Sequence, residues 1–235
     1  MRLARVVNLY IFDVSHMLMK KIINLNSIMK LLLLLIILFS SALTFAANAS
    51  GDLGPWSVMF YRGGTAKQTF GQVLSGKYSG FGETIYAAEV AYTLDQSNLI
   101  RRFFRPLFDT VQIAGNLAYR HDYAHHDNVK EGNLYLIWRW TKFPWERYLS
   151  NSLAIGDGIS YDSHPPFANR ENNQPANNFG KLLNYLMLEA TFALPSTPQL
   201  QLIFRMHHTC TAWGAFPKNV NAGSTNVGLG IRYYF

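Results

Sequence analysis

Two adjacent histidines and the only cysteine of the chain fall within four residues, His207-His208-Thr209-Cys210. Three chemistries fit such a stretch. A histidine two residues from a cysteine can serve as base to a thiol nucleophile, the pairing that performs acyl transfer. Histidine and cysteine are also metal ligands. The plain alternative is a strand end, with the histidines hydrogen-bonded at a rim and the cysteine packed as a small hydrophobe. A second cluster, "HDYAHHD" from His121 to Asp127, has histidine and aspartate at ligand spacing, and His164 could join it from another loop. Histidines in a polar loop are more often simply solvated, so neither a metal nor a cofactor is expected. The chain has no glycine-rich phosphate loop and no Gly-x-Ser-x-Gly turn, which removes the common nucleotide and α/β-hydrolase chemistries.

Which chemistry survives depends on the elements that hold these residues. The 235 residues are 49% hydrophobic and 14% aromatic but only 15% charged. A soluble domain carries about 25% charged residues, so this surface is short of charge. The 13 Tyr, 16 Phe and 5 Trp favour strands and suit a chain that meets a bilayer. A single cysteine allows no internal disulfide.

Lys20, Lys21 and Lys30 precede an apolar run from Leu31 to Phe39, and Ala47-Asn48-Ala49 offers a small-x-small cleavage site. That is the grammar of a secretory signal peptide over residues 1–49, with translation starting at Met1 or at Met17, Met19 or Met29. The run is too short for the roughly 20 residues of a spanning helix. Removing 1–49 takes away five basic groups and one acidic group, which leaves 16 basic and 13 acidic. The remaining excess is small and unclustered, so no nucleic-acid partner is expected.

Residues 50–235 alternate with period two. In "NVGLGIRYYF", Val227, Leu229, Ile231, Tyr233 and Phe235 share one face, against Asn226, Gly228, Gly230, Arg232 and Tyr234. The same alternation runs through "WSVMFY", "ETIYAAEVAYTL", "TVQIAGNLAYR", "NLYLIWRW", "SLAIGDGISY", "LLNYLMLEATF" and "QLQLIFRMHHTC". Eight such stretches predict an all-β fold, an eight-stranded antiparallel transmembrane β-barrel. The polar faces carry Glu89, Arg120, Arg139, Glu189, Arg205 and Arg232. A soluble core would bury these at several kcal/mol each unless paired. A small barrel lumen holds them as a network while the apolar face meets lipid. The expected location is the outer membrane of a Gram-negative bacterium. "ALPSTP" then becomes a periplasmic turn. "HDYAHHDNVKE" and "DSHPPFANRENNQPANN" become extracellular loops, "LIRRFFRPLF" lies at the inner interface, and Trp140, Phe143 and Trp145 form part of an inner aromatic girdle.

In this frame the penultimate strand rises outward, and His208 and Cys210 share parity with Leu202, Phe204 and Met206 on its lipid-facing side. A polar group facing lipid without a partner is costly, and an ionisable one is a functional candidate. Their i, i+2 spacing brings them close enough for proton transfer. Here the chain resembles the lipid A 3-O-deacylases, acyloxyacyl hydrolase-like outer-membrane barrels. Their His-x-Ser motif lies on the outer face near the extracellular end of the penultimate strand, with a glutamate further on. The likeness covers the position, face and depth of His208. More loosely it covers "FPWERY", "GISY", "LLNYLMLEATFALP", "MHHTC" and "GSTNVGLGIRYYF". It implies an esterase acting on lipid A of lipopolysaccharide in the outer leaflet, with His208 as base and Cys210 as nucleophile. It also implies assembly by the barrel-assembly machinery through Phe235. Two departures stand out: Cys210 replaces the serine, and no acid follows Glu189, the family's glutamate falling near Ala222. Glu171, or Asp162, on the loop before the sixth strand is the candidate orienting acid. Oxyanion donors would come from backbone N–H groups of Thr211 to Gly214. His207, Arg205 and Glu189, of opposite parity, are scaffold. The competing reading is a non-catalytic barrel with a structural or loop-mediated binding role.

Overall fold

The computed structural model describes residues 53–123, 126–164, 181–212 and 223–235; the expected leader, 1–49, lies outside them. Eight strands follow in chain order: β1 Trp56–Ala66, β2 Gly80–Thr93, β3 Thr110–Asp122, β4 Asp127–Trp140, β5 Ser150–Asp162, β6 Leu182–Ala193, β7 Leu200–Cys210 and β8 Gly223–Tyr234. Each pairs antiparallel with the next, and β8 returns to β1 to close the barrel. The seam ends in a backbone pair between Trp56 and Phe235, at 2.9 and 3.3 Å. Closure leaves no strand edge, so the sheet's backbone groups are satisfied within the wall, as a bilayer demands.

The alternation read from sequence is the wall's two faces. Outward parity carries Phe60, Val90, Leu117, Leu134, Leu153, Phe192, Leu202, Phe204, Leu229 and Ile231, all exposed. Inward parity carries Glu89, Arg120, Arg139, Glu189, Arg205 and Arg232, all buried. This is the reverse of a soluble barrel, which faces water with its polar side chains and packs its apolar ones inside. An apolar exterior around a charged, packed interior is the arrangement of an outer-membrane barrel.

The interior is two linked polar clusters. In the first, Glu189 receives Arg139 at 2.7 Å and also Arg205 and Arg232, while Glu89 receives Arg205 at 2.5 Å, Arg232 at 2.8 Å and the Tyr135 hydroxyl. In the second, Glu131 binds Arg120, His207 Nε2 at 2.6 Å and Asn133 Nδ2 at 2.8 Å. Arg120 reaches on to Ser224 Oγ at 2.5 Å. Arg205 has glycines beside it in the wall. Gly63 and Gly228 lie in register with it across β1, β8 and β7. A Cβ on Gly228 would sit 2.0 Å from the Arg62 carbonyl oxygen, and one on Gly63 2.3 Å from the Tyr61 hydroxyl.

Two connections differ from the sequence reading. "HDYAHHDNVKE" was expected as a loop, but β3 runs through Asp122 and β4 begins at Asp127, so most of the stretch is paired strand. His121 lies on β3, with Nδ1 2.5 Å from Asn128 Oδ1. "LIRRFFRPLF" forms a short helix, Leu99–Phe104, capped by Asn98, whose Oδ1 accepts from the Ile100 amide at 2.9 Å. Its Phe104, with Phe108, packs on the outward-facing Trp138 and Trp140 at centroid distances of 4.7 to 6.2 Å. Phe143 stacks on Trp145 at the same end.

Asp109 ties this connection to the next. It accepts from the amides of Thr141 at 2.9 Å and Lys142 at 3.3 Å and pairs with the Lys142 ammonium at 2.9 Å. Partial burial alone would raise its pKa, but these three donors outweigh it and hold the carboxyl below its ordinary value. A depressed native pKa stabilises fully above the unfolded value, about 3.9, and is lost as pH falls through the native one. Amide exchange at Thr141 and Lys142 is therefore expected to accelerate below about pH 4. Asp109→Asn should show the faster exchange already at neutral pH.

Candidate active site on the outer rim

His208 stands on the outward face of β7, two residues from its end and half-buried. Its Nδ1 lies 2.9 Å from Thr225 Oγ1, on the neighbouring β8 and directly opposite in register. The Ser224 carbonyl is a second partner on the same strand. Above it lies the ring of Phe70, 4.8 Å away between centroids. Phe70 opens a one-turn helix, Phe70–Leu74, on the connection from β1 to β2. That connection is pinned at its neck, where Gln68 and Ser79 exchange two hydrogen bonds of 2.7 Å. The helix is fixed at its start by Gln72 Oε1, which accepts from the Thr69 amide at 3.1 Å.

Cys210 is partnered on its other side. Its thiol donates to Asn184 Oδ1 on β6 at 3.6 Å, and the Ala212 amide hydrogen-bonds to it as well. The Asn184 amide is oriented in turn, since its Nδ2 donates to Asp157 Oδ1 at 2.9 Å and to the Gly158 carbonyl at 3.0 Å. A carboxylate, an amide and a thiol therefore form a chain across β5, β6 and β7, on the face that should meet lipid. The row that holds Asp157 continues through Leu186 and His208 to Thr225.

The expected pair is thus placed together but not joined. His208 and Cys210 share face, strand and depth, yet His208 bonds to β8 and Cys210 to β6. Asp162 is corrected outright as an orienting acid. β5 continues through it, and parity turns it into the lumen, 1% exposed, toward Arg120, Glu131 and Glu83. The position of the orienting group is filled instead by Thr225. Glu171 lies outside the described residues, as do Ala222 and half of the segment expected to supply oxyanion donors, Trp213 and Gly214; of the described half, the Ala212 amide is found at the thiol. His207 points inward, as expected, between Glu131 and the Tyr185 hydroxyl at 3.3 Å. Among the described residues no three side chains of His, Cys, Asp or Glu gather as a metal site, and His164 bonds to Ser163 Oγ at 3.1 Å.

Asp157, Asn184, Thr225 and Phe70 were missed from sequence. Counting by two puts Asp157 with Leu153, Ile155 and Ile159, and Asn184 with Leu182, Leu186 and Leu188. A polar residue on an apolar stripe was the available signal.

No protein-family model matches the chain, and no curated protein does. Among solved structures it is similar to the outer membrane enzyme PagL, at 12% identity and a TM-score of 0.47 over 76% of this chain and 99% of that one. It is also similar to the N-terminal β-barrel domain of Pseudomonas aeruginosa OprF, at 11% and 0.43 over 78% and 100%. A third is Neisserial surface protein A (NspA), at 10% and 0.41 over 77% and 95%. These likenesses are remote, and the architecture rests on this chain's own strand pairing.

Proposed function

We propose that the barrel is an ester hydrolase of the outer leaflet, working from the rim of β7 on an acyl ester of lipid A in lipopolysaccharide. What carries the reading is placement. On the outer face, at the end away from both termini, a histidine held through Nδ1 stands two residues from the chain's only thiol. With Nδ1–H donating to Thr225 Oγ1, Nε2 is left as the base, the tautomer this chemistry needs. Nε2 takes the Cys210 proton, and the thiolate attacks the ester carbonyl carbon. The alcohol oxygen departs with the proton from His208, and water then hydrolyses the thioester. Cys210 must first turn from Asn184 toward His208, and the Phe70 ring must yield space to the substrate.

A second reading has its own observation. The pairs His208–Thr225 and Cys210–Asn184 are each closed, as in a non-catalytic barrel whose rim is merely hydrogen-bonded. Mass spectrometry of lipid A from cells with and without the protein separates the two. Loss of one hydroxyacyl chain only in its presence supports the hydrolase, and identical spectra support the second reading.

Assembly is part of the same proposal, with Phe235 as the residue presented to the barrel-assembly machinery. Phe235→Ala is expected to lower the amount of folded barrel in outer membranes several-fold, read from heat-dependent gel mobility. An unchanged level would remove that role.

A further inference from the structure

The outer face carries a second polar patch, on β1 to β4. Register places Arg62 of β1, Tyr86 of β2, Tyr119 of β3 and Lys130 of β4 in one continuous row. Arg62 lies over the Tyr86 ring, 5.8 Å from its centroid, and Tyr86 hydrogen-bonds to Tyr123. The Tyr119 hydroxyl donates to Asn128 Oδ1 at 2.7 Å. Both cations are exposed, and among the described residues no carboxylate forms an ion pair with either. The neighbouring acids Glu83 and Glu131 point the other way, into the lumen. Immediately toward the membrane centre lies an apolar row, Phe60, Ala88, Leu117 and Gly132. In it Ala88 and Gly132 leave recesses beside Leu117, which is 75% exposed.

Near the outer interface an exposed arginine or lysine costs little by itself and is drawn to anionic headgroups. The order found here, with cations and phenols above and an apolar furrowed row below, matches a lipid with an anionic headgroup. The spacing narrows the class. Three interstrand steps separate Arg62 from Lys130, roughly 14 Å of wall, which one phosphate cannot bridge. A disaccharide with a phosphate at each end can, and the tyrosines between offer rings and hydroxyls to the sugars. We infer that the Arg62–Tyr86–Tyr119–Lys130 row is a binding site for the bisphosphorylated glycolipid of the outer leaflet, lipopolysaccharide. Arg62 and Lys130 take one phosphate each, and acyl chains lie along the Ala88 and Gly132 recesses. The site is separate from His208 and stands whether or not an ester is cut.

The test uses the full barrel refolded in phosphatidylcholine nanodiscs, with native mass spectrometry reading retained lipid. The probes are bisphosphoryl lipid A, monophosphoryl lipid A and phosphatidylglycerol. Arg62→Gln and Lys130→Gln are each expected to weaken bisphosphoryl lipid A about fivefold, the effect of one cation at an anionic surface, and the double variant about 25-fold. Monophosphoryl lipid A should bind the native barrel as weakly as bisphosphoryl lipid A binds a single variant. All proteins are compared in the His208→Ala background, so that no probe is consumed and hydrolysis can fail while this site holds. Equal retention of phosphatidylglycerol, or unchanged binding by a double variant whose heat-shifted mobility shows it folded, overturns the proposal.

Discussion

Glu189→Gln is expected to cost the barrel about 3–5 kcal/mol, the largest stability loss of any single conservative change, because it strips the charge on which three arginines converge. Arg139, Arg205 and Arg232 all reach this one carboxylate, and Arg205 and Arg232 are wholly buried. Glutamine keeps the shape and one acceptor oxygen, but it leaves Glu89 alone against three guanidinium groups. Removing one partner of a buried pair strands the others without solvent, which costs more than the pair's own net worth. The variants should therefore be strongly non-additive. Arg139→Met in the Glu189→Gln background should recover part of the loss, since it removes one stranded cation. Urea titration of refolded protein in vesicles, followed by tryptophan fluorescence and by heat-dependent mobility, measures both. A midpoint unmoved by Glu189→Gln would mean that the lumen is wet enough to solvate these arginines, and the packed-interior account would fall.

The cluster was readable from sequence because parity is a local property. Glu89, Arg205 and Arg232 could be assigned to one side of their strands without any partner, and the lipid-facing alternation of Leu202, Phe204, Leu229 and Ile231 is the same count seen from outside. What parity cannot give is register. Asn184 meets Cys210, and Thr225 meets His208, only because β6 and β8 pair with β7 at particular offsets. Nothing in any single strand fixes those offsets. The reading also failed where the bilayer stops. "HDYAHHDNVKE" looks like a loop because the hairpin runs beyond the hydrocarbon, where the outer face no longer has to be apolar and strands lose their signature. Asp162 was misplaced for the same reason. Polar sequence after Tyr161 reads as loop, yet the strand extends one residue further, and that residue turns inward.

His208→Ala is expected to reduce hydrolysis of a lipid-A-type ester by at least about 100-fold, the lower bound for losing a general base. The proposed chemistry uses His208 as its single base. Cys210→Ala should remove the activity altogether. Cys210→Ser should keep a fraction of it, because a hydroxyl can occupy the same place against the same base. Thr225→Val is the more discriminating change. It leaves both proposed reacting groups in place and removes only the hydroxyl 2.9 Å from His208 Nδ1. A loss of about tenfold in kcat with KM little changed is expected if orientation of the ring is what Thr225 supplies. His207→Ala should behave in the opposite way. It lowers the urea midpoint because Glu131 loses one of its buried partners, while the folded fraction keeps its rate, because the ring lies on the lumen side with no path to the lipid face. Full activity in refolded Cys210→Ala would separate the thiol from the chemistry and leave His208 and Cys210 as two hydrogen-bonded residues at the end of β7.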